Sequence, residues 1–246
     1  MAGHEIPVEA ENLEKRFRRY HAVRGVSFRC YAGEVFGLLG PNGAGKTTTI
    51  RMLTTILRPT AGTARVAGHD VVKDPAAVRR VIGVLPENAG IYGRLTARDV
   101  IRYAGRLYGV PSDLLRSRIA SLADTLELTP HLDRVTDTFS KGMKQKVNIA
   151  RALVHDPPVV FLDEPTSGLD VISARSVRDF IARFKQEGRC VIMSTHVMEE
   201  AERLCDRVAI ITGGRVRAEG RLNDLVARTG LGLEEIFVQL VEQTVA

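Results

Sequence analysis

"EVFGLLGPNGAGKTTTIRMLTTIL" (residues 34–57) sets a short apolar run, a glycine-rich loop and a helix-forming segment in direct succession. The run "EVFGLLG" has the length and near-continuous apolarity of a strand buried on both faces. Within the loop "GPNGAGKTT" (40–48), Gly40, Gly45, Lys46 and Thr47 fit the pattern G-x-x-x-x-G-K-[ST], and Pro41, Asn42, Gly43, Ala44 and Thr48 complete the phosphate-binding segment. Glycines let backbone N–H groups wrap closely around phosphate oxygens, and a helix starting near Lys46 aims the positive end of its dipole at them. The Lys46 ammonium suits the β- and γ-phosphates, and the Thr47 hydroxyl suits Mg²⁺. Strand, loop and helix in this order begin a nucleotide-binding α/β domain. The segment reads as the site of a nucleoside triphosphate.

Outward from it, residues 5–33 read as short strands separated by turns, with Val23, Val26 and Phe28 alternating in "AVRGVSFRC" (22–30). Residues 88–156 change character. "RDVIRYAGRLYG" (98–109) carries Val100, Ala104, Leu107 and Tyr108 at helical spacing, and "LLRSRIASLADTL" (114–126) does so with Leu115, Ile119, Leu122 and Leu126. This is a helical insertion, too long for a plain connection between neighbouring strands. Sheet character resumes with "VVFLDE" (159–164), the amphipathic helix "RSVRDFIARFKQE" (175–187) and "CVIMSTH" (190–196). Apolar strands alternating with such helices imply a largely parallel sheet whose functional loops lie at the carboxyl ends of its strands. "RVAIITGGRVRAEG" (207–220) reads as a hairpin around Gly213-Gly214, and the tail from Arg221 as helical and too short for a further domain. There is no internal repeat and no low-complexity linker.

Three further features carry chemistry. "VVFLDEP" ends a strand in adjacent acids, so Asp163 is placed to hold the Mg²⁺ shell and Glu164 to orient and deprotonate a water attacking the γ-phosphate. The alternative is two charges that merely close a strand before Pro165. His196 ends a second strand at the same edge, where it suits a hydrogen bond to the γ-phosphate or the attacking water. In "TDTFSKGMKQKVNIARAL" (136–153), Ser140 and Gly142 open a helix with Val147, Ala150 and Val154 on one face, a second helix end suited to an anion. His4, His21, His69, His131 and His155 lack such settings and read as surface or packing residues.

A chain of 246 residues with 44% apolar content supports one large α/β domain with an insertion. The absence of Trp and an aromatic share of 5% argue against base-stacking platforms. A formal charge of +6 suits nucleotides, acidic lipid or nucleic acid and selects none of them; the basic cluster "EKRFRRYH" (14–21) reads as a solvated face. Cys30, Cys190 and Cys205 form no C-x-x-C pair, which points to a reducing, cytosolic compartment. The charged start "MAGHEIPVEAENLEKRF" is no signal peptide, and no run reaches the ~18–20 apolar residues of a membrane span, so a soluble chain is expected.

With these pieces in order, the sequence resembles the nucleotide-binding subunit of ATP-binding cassette (ABC) transporters over essentially its whole length. The likeness rests on "GPNGAGKTT" as Walker A, "FSKGMKQK" (139–146) as the signature, "VVFLDEP" (159–165) as Walker B, "SGLD" (167–170) as the D-loop and "STH" (194–196) with the switch histidine. "IGVLPENAGIYGRLTARDVIRYAGRLYG" (82–109) and the stretch 139–170 look most like the ATPases of ABC-2-type exporters, nearest to bacterial sodium-extrusion (Nat-type) subunits, with drug-export relatives close behind. The resemblance implies a P-loop NTPase fold: a RecA-like core with a mostly parallel sheet, an N-terminal antiparallel β-subdomain and an inserted α-helical subdomain. Residues 1–87 and 157–220 would form the core, 88–156 the helical subdomain and 221–246 a short helical tail.

It further implies an ATPase using ATP and Mg²⁺, peripheral on the cytoplasmic face of the membrane. A transmembrane permease would be its partner, and a second copy would meet it head to tail, with each ATP between one copy's Walker A and the other's signature helix. Phe17 aligns with the family's adenine-stacking aromatic, with Tyr20 as the nearby competitor. Two positions depart from the family. Glu87 stands for the Q-loop glutamine, either as a metal-sensing ligand or as a loop contact to the membrane partner. The usual L-S-G-G-Q reads Phe139-Ser140-Lys141-Gly142-Met143, which keeps the serine and second glycine and puts a signature side-chain contact in doubt. The competing reading is a cassette ATPase acting on nucleic acid or the ribosome. Against it, the insertion lacks sustained heptads and the chain carries one cassette rather than two.

Overall fold

Three of the apolar runs become strands with no exposed residue: β3 (Val35–Leu39), β7 (Val159–Asp163) and β8 (Cys190–Thr195). The computed structural model describes residues 6–245; His4 and the rest of 1–5 lie outside the described residues, as does Ala246. With β6 (Ile82–Leu85), β9 (Arg207–Thr212) and β10 (Arg215–Arg221) these strands form a six-stranded sheet in the order β10-β9-β3-β8-β7-β6. Every pairing in it is parallel except the β9–β10 hairpin, which turns at Gly213-Gly214. A second, four-stranded antiparallel sheet has the order β2-β1-β4-β5, from β1 (Val8–Phe17), β2 (Tyr20–Cys30), β4 (Ala61–Val66) and β5 (His69–Asp70).

Side-chain alternation along the buried strands deals residues to two cores. Phe36, Leu38, Phe161 and Ile192 join Val8, Leu13 and Phe28 of the antiparallel sheet together with Ile50 and Met52 of helix α1 (Lys46–Leu53). Phe28 and Phe36 stack at 5.1 Å and bind the two sheets together. On the other face, Val35, Leu39, Val160, Leu162 and Met193 pack against helices. Burial of one such side chain contributes roughly 1.5–3 kcal/mol, and that energy outweighs the weak helix propensities of the covering segments.

The chain between β6 and β7 holds helices α3 (Ala97–Leu107), α4 (Ser112–Thr125) and α5 (Lys141–Leu153), after the short α2 (Pro75–Arg80) that precedes β6. Thr96 caps α3 by accepting from Asp99 N at 3.1 Å, and Ser140 caps α5 by accepting from Met143 N at 3.2 Å. Such caps contribute about 1 kcal/mol each. The end of α5 is tied to α3 by a parallel stack of His155 on Tyr108, ring centroids 3.6 Å apart, while His155 Nε2 donates to the Ile82 carbonyl at 3.0 Å.

Helices α6 (Val171–Gln186) and α7 (Met198–Leu204) follow β7 and β8. The tail forms α8 (Leu222–Thr229) and α9 (Leu233–Val245), whose Leu225, Leu233 and Ile236 are buried in the helix-side core. It is thus part of the packing rather than an appendage. The cysteines are buried free thiols, and burial pushes the Cys30 and Cys205 thiols well up, away from reactivity. No described helix is long and apolar enough to cross a membrane.

Candidate active site

The loop 40–45 runs from the carboxyl end of β3 into α1, and its shape requires glycine. Gly45 has φ 109°, and a Cβ there would lie 2.7 Å from the Ala22 carbonyl oxygen. A Cβ on Gly40 would lie 2.3 Å from the Ile211 carbonyl oxygen of β9. The loop is braced from outside: Gly214 N donates to the Ala44 carbonyl at 3.1 Å, and Arg24 N to the Gly214 carbonyl at 2.7 Å. From within, Lys46 Nζ donates to the Gly40 carbonyl at 2.7 Å and the Pro41 carbonyl at 3.3 Å.

Parallel pairing brings β7 and β8 to the same edge. Glu164 Oε1 stands 3.6 Å from Lys46 Nζ and 2.9 Å from His196 Nδ1. Beside it, Asp163 Oδ1 accepts from Thr47 Oγ1 at 3.2 Å and also from Ser194 Oγ. Asp163, Glu164 and Lys46 are buried, whereas the His196 side chain is 45% exposed at the mouth. Glu164 itself has φ 49°, a left-handed conformation that costs a non-glycine residue about 1–3 kcal/mol and persists only when its surroundings hold it. Its N–H donates to the Ser194 carbonyl and Oγ, both at 3.2 Å.

Lys46, Glu164 and His196 line a cleft of about 490 Å³ with Pro41, Asn42, Gly43, Ala44, Gly45, Thr47 and Thr48, and Glu87 lines it too, while Asp163 stands behind Thr47. Tyr20 stands at its edge, with its hydroxyl donating to the Gly43 carbonyl at 3.3 Å. Phe17 pairs with Tyr20 across the β1–β2 turn and does not line the cleft; its ring carries the Lys15 ammonium at 5.2 Å. Of the two aromatics, the structure therefore brings Tyr20 to the phosphate loop.

Ser140 and Gly142 do not line this cleft either. Gly142 lies against α6, where a Cβ would sit 2.1 Å from Ser173 Oγ. Ser173 is in turn held by Asp170, whose carboxylate accepts from Ile172 N and Ser173 N as the cap of α6. Those N–H bonds and the Ser173 hydroxyl hold the Asp170 carboxyl below its ordinary range. The residues flanking Gly142 have structural partners: Lys141 Nζ lies over Gly168, and Met143 packs against the helix-side core. The charge-lined cleft of about 910 Å³ around Glu34, Asp206 and Arg207 lies at the opposite, amino ends of the parallel strands.

A larger polar frame holds the site than the motifs alone announce. Ser194 faces Asp163 in register, and Glu200 of α7 accepts from both Thr166 and Thr195. Gln145 of α5 donates to the Pro165 carbonyl at 2.7 Å. Ser194 was findable in principle, since it stands two residues before His196 and strand alternation turns the two to one side.

A model of the ABC transporter family matches residues 23–167. The chain belongs to the ABC transporter family. It is similar to the ABC transporter ATP-binding protein NatA of Bacillus subtilis (strain 168), with 46% identity over 205 residues, covering 83% of each chain. The daunorubicin/doxorubicin resistance ATP-binding protein DrrA of Streptomyces peucetius is 43% identical over 91% of this chain and 68% of its own. Among solved structures, an ATP-binding subunit of an ABC transporter superposes with a TM-score of 0.88 at 32% identity, covering 96% of this chain and 99% of the other. This ABC transporter chain is an ATPase with the P-loop NTPase fold expected for the family. The family match contains Lys46, Ser140 and Glu164 but stops short of His196, whose place in the site rests on the geometry above.

Proposed function

We propose that the chain binds MgATP in the cleft between loop 40–48 and the ends of β7 and β8, hydrolyses it, and thereby powers an ABC-2-type exporter of sodium ion or of drugs and other small molecules. The carrying observation is the convergence of Lys46, Thr47, Glu164 and His196 on one cleft at the carboxyl ends of three parallel strands, with Asp163 hydrogen-bonded to Thr47 behind them. Lys46 exchanges the Gly40 carbonyl and Glu164 for β- and γ-phosphate oxygens. Glu164, released from that ion pair, accepts a proton from the water that attacks the γ-phosphorus as the bond to the β–γ bridging oxygen breaks. His196 holds Glu164 or the departing phosphate in place. Tyr20, with Phe17 beside it, supports the adenine.

Thr47 and Asp163 offer hydroxyl and carboxylate oxygens side by side, a hard donor set that fits Mg²⁺ with phosphate oxygens and water as its other ligands. Glu87 lines the same cleft and is assigned to the metal shell, where a carboxylate replaces an amide oxygen. When bound, the ion would neutralise charge on the phosphate oxygens. Residues 1–87 and 157–220 serve as the catalytic core, 88–156 as the helical subdomain and 221–246 as the tail.

Ser140 and Gly142 open a capped helix away from the chain's own cleft, which supports a head-to-tail homodimer in which they meet the other copy's ATP. Val171 and Ile172, 81% and 79% exposed, give an apolar step beside that helix end for the second copy to cover. The resemblance to exporter subunits supports a position for the dimer under a transmembrane permease, on the cytoplasmic face. No observation here favours an ATPase acting on nucleic acid or the ribosome. Glu164→Gln is expected to lower turnover about 10²-fold or more and to accumulate an ATP-bound dimer in gel filtration. A monomer despite tight nucleotide binding would count against the dimer, and wild-type turnover against Glu164 as the base.

A further inference from the structure

Helix α5 carries a polar stripe that its apolar packing does not explain. Gln145 Nε2 donates to the Pro165 carbonyl at 2.7 Å, Asn148 Nδ2 to the Ala89 carbonyl at 3.1 Å, and Arg151 Nη1 to the Gly90 carbonyl at 3.0 Å. Residues spaced three apart lie along one side of a helix, so a single rigid element grips two loops. One is the loop that leaves Glu164; the other follows Glu87. The same helix begins at the Ser140 cap.

The grip on the first loop matters because Glu164 is held in a conformation it would not adopt unaided. Its φ of 49° is fixed on the amino side by the two bonds from its N–H to Ser194. On the carboxyl side, Pro165 has no N–H to anchor it, and its carbonyl accepts from the Gln145 amide. Pro165 is buried, so that carbonyl has no ready substitute in water. The direction of the Glu164 carboxylate is thus set between a strand of the central sheet and a helix of the inserted segment.

We infer that Gln145 is a positioning residue for Glu164: its amide holds the Pro165 carbonyl and passes the position of the Ser140 end of α5 to the carboxylate beside Lys46. The inference rests on Glu164 acting as the general base, as proposed above. When a second copy's ATP draws on the Ser140 end, α5 moves as a body and Pro165 moves with it. Catalysis and engagement of the second copy are then linked through one hydrogen bond, while the chain's own phosphate loop is untouched.

The test uses the full chain and compares wild type, Gln145→Met, Gln145→Lys and Glu164→Gln. Methionine matches the volume of glutamine without a donor, and lysine keeps a donor of similar reach. Turnover, nucleotide affinity by equilibrium binding and melting temperature are read for each. Gln145→Met is expected to lose about tenfold or more in kcat with nucleotide Kd unchanged within roughly twofold, since a misplaced base loses rate rather than binding. Gln145→Lys is expected to recover a substantial part of that loss.

A Gln145→Met protein with at least about half the wild-type kcat overturns the inference, provided Glu164→Gln is inactive in the same assay. So does a loss of nucleotide affinity that parallels the loss of kcat. If Glu164→Gln turns over at the wild-type rate, the base assignment itself falls and takes the inference with it. Should Gln145→Met not melt cooperatively, Gln145→Asn, polar but too short to reach the carbonyl, carries the same readings.

Discussion

At the scale of single residues, the site is an arrangement of buried charges that satisfy one another. Lys46 and Glu164 are both buried, and each has the other at 3.6 Å. On the proposed mechanism, a phosphate that takes Lys46 leaves the carboxylate free for a water. Ser194 belongs to this economy of partners although it touches no substrate. Its hydroxyl donates to Asp163 and accepts from Glu164 N. Ser194→Ala is expected to lower kcat about tenfold and stability by about 1–2 kcal/mol, by leaving buried polar atoms under-satisfied. Steady-state kinetics and urea unfolding check it, and an unchanged kcat would restrict Ser194 to a packing role.

At the scale of elements, legibility tracks how local each determinant is. Strands β3, β7 and β8 were readable because both faces are buried and the apolar run is nearly unbroken. The phosphate loop was readable because its glycines answer to backbone geometry within a few residues. The choice between Phe17 and Tyr20 was not, since they face each other across a tight turn and only the packed hairpin shows which one reaches Gly43. Gln145 was hidden for the same reason: its partner lies on a loop 20 residues away. The short α2 and β5 and the burial of the tail also depend on tertiary contacts.

His155, whose sequence setting suits a surface or a packing residue, packs, and it joins the ends of α3 and α5. Because Nε2–H donates to the Ile82 carbonyl, Nδ1 is the unprotonated nitrogen, buried and without a partner. Burial lowers its pKa from the ordinary value of 6.5. A base that is harder to protonate folded than unfolded contributes stability above its unfolded pKa, and that stability is lost as pH falls through the ordinary histidine range and below. His155→Gln keeps a donor for Ile82 and cannot charge. Its melting temperature is expected to drop less than that of the wild type between about pH 7.5 and 5.5. Parallel drops would show that other groups govern the acid limb.

At the scale of the whole molecule, the proposed dimer requires one chain to hold two half-sites that do not meet. Lys46 stands in the cleft and Ser140 outside it, at the head of a helix bound to the same core. Lys46→Ala and Ser140→Asp should each abolish hydrolysis; aspartate keeps the helix cap but repels phosphate, so the second loss does not come from unfolding α5. Mixed in equal amounts, the two inactive proteins should regain activity, up to roughly a quarter of the wild-type rate, because half the dimers carry one intact composite site of two. Mixtures no more active than their parts would show that each chain works alone.

The bracing of the phosphate loop by the Gly213-Gly214 hairpin bears on timing as well as affinity. Gly214 and Arg24 hold the loop's outer side with hydrogen bonds from within the chain, so the fold itself sets the shape of the cradle. A cradle braced in this way is expected to add no loop-ordering step to capture, so that encounter sets its pace. In the proposed head-to-tail dimer, the slow events of the cycle fall to the larger bodies, the two copies and the helices that join them. The chain therefore separates a fast receptor from a slow lever, and the division runs between a glycine turn at one edge of the sheet and helix α5 at the other.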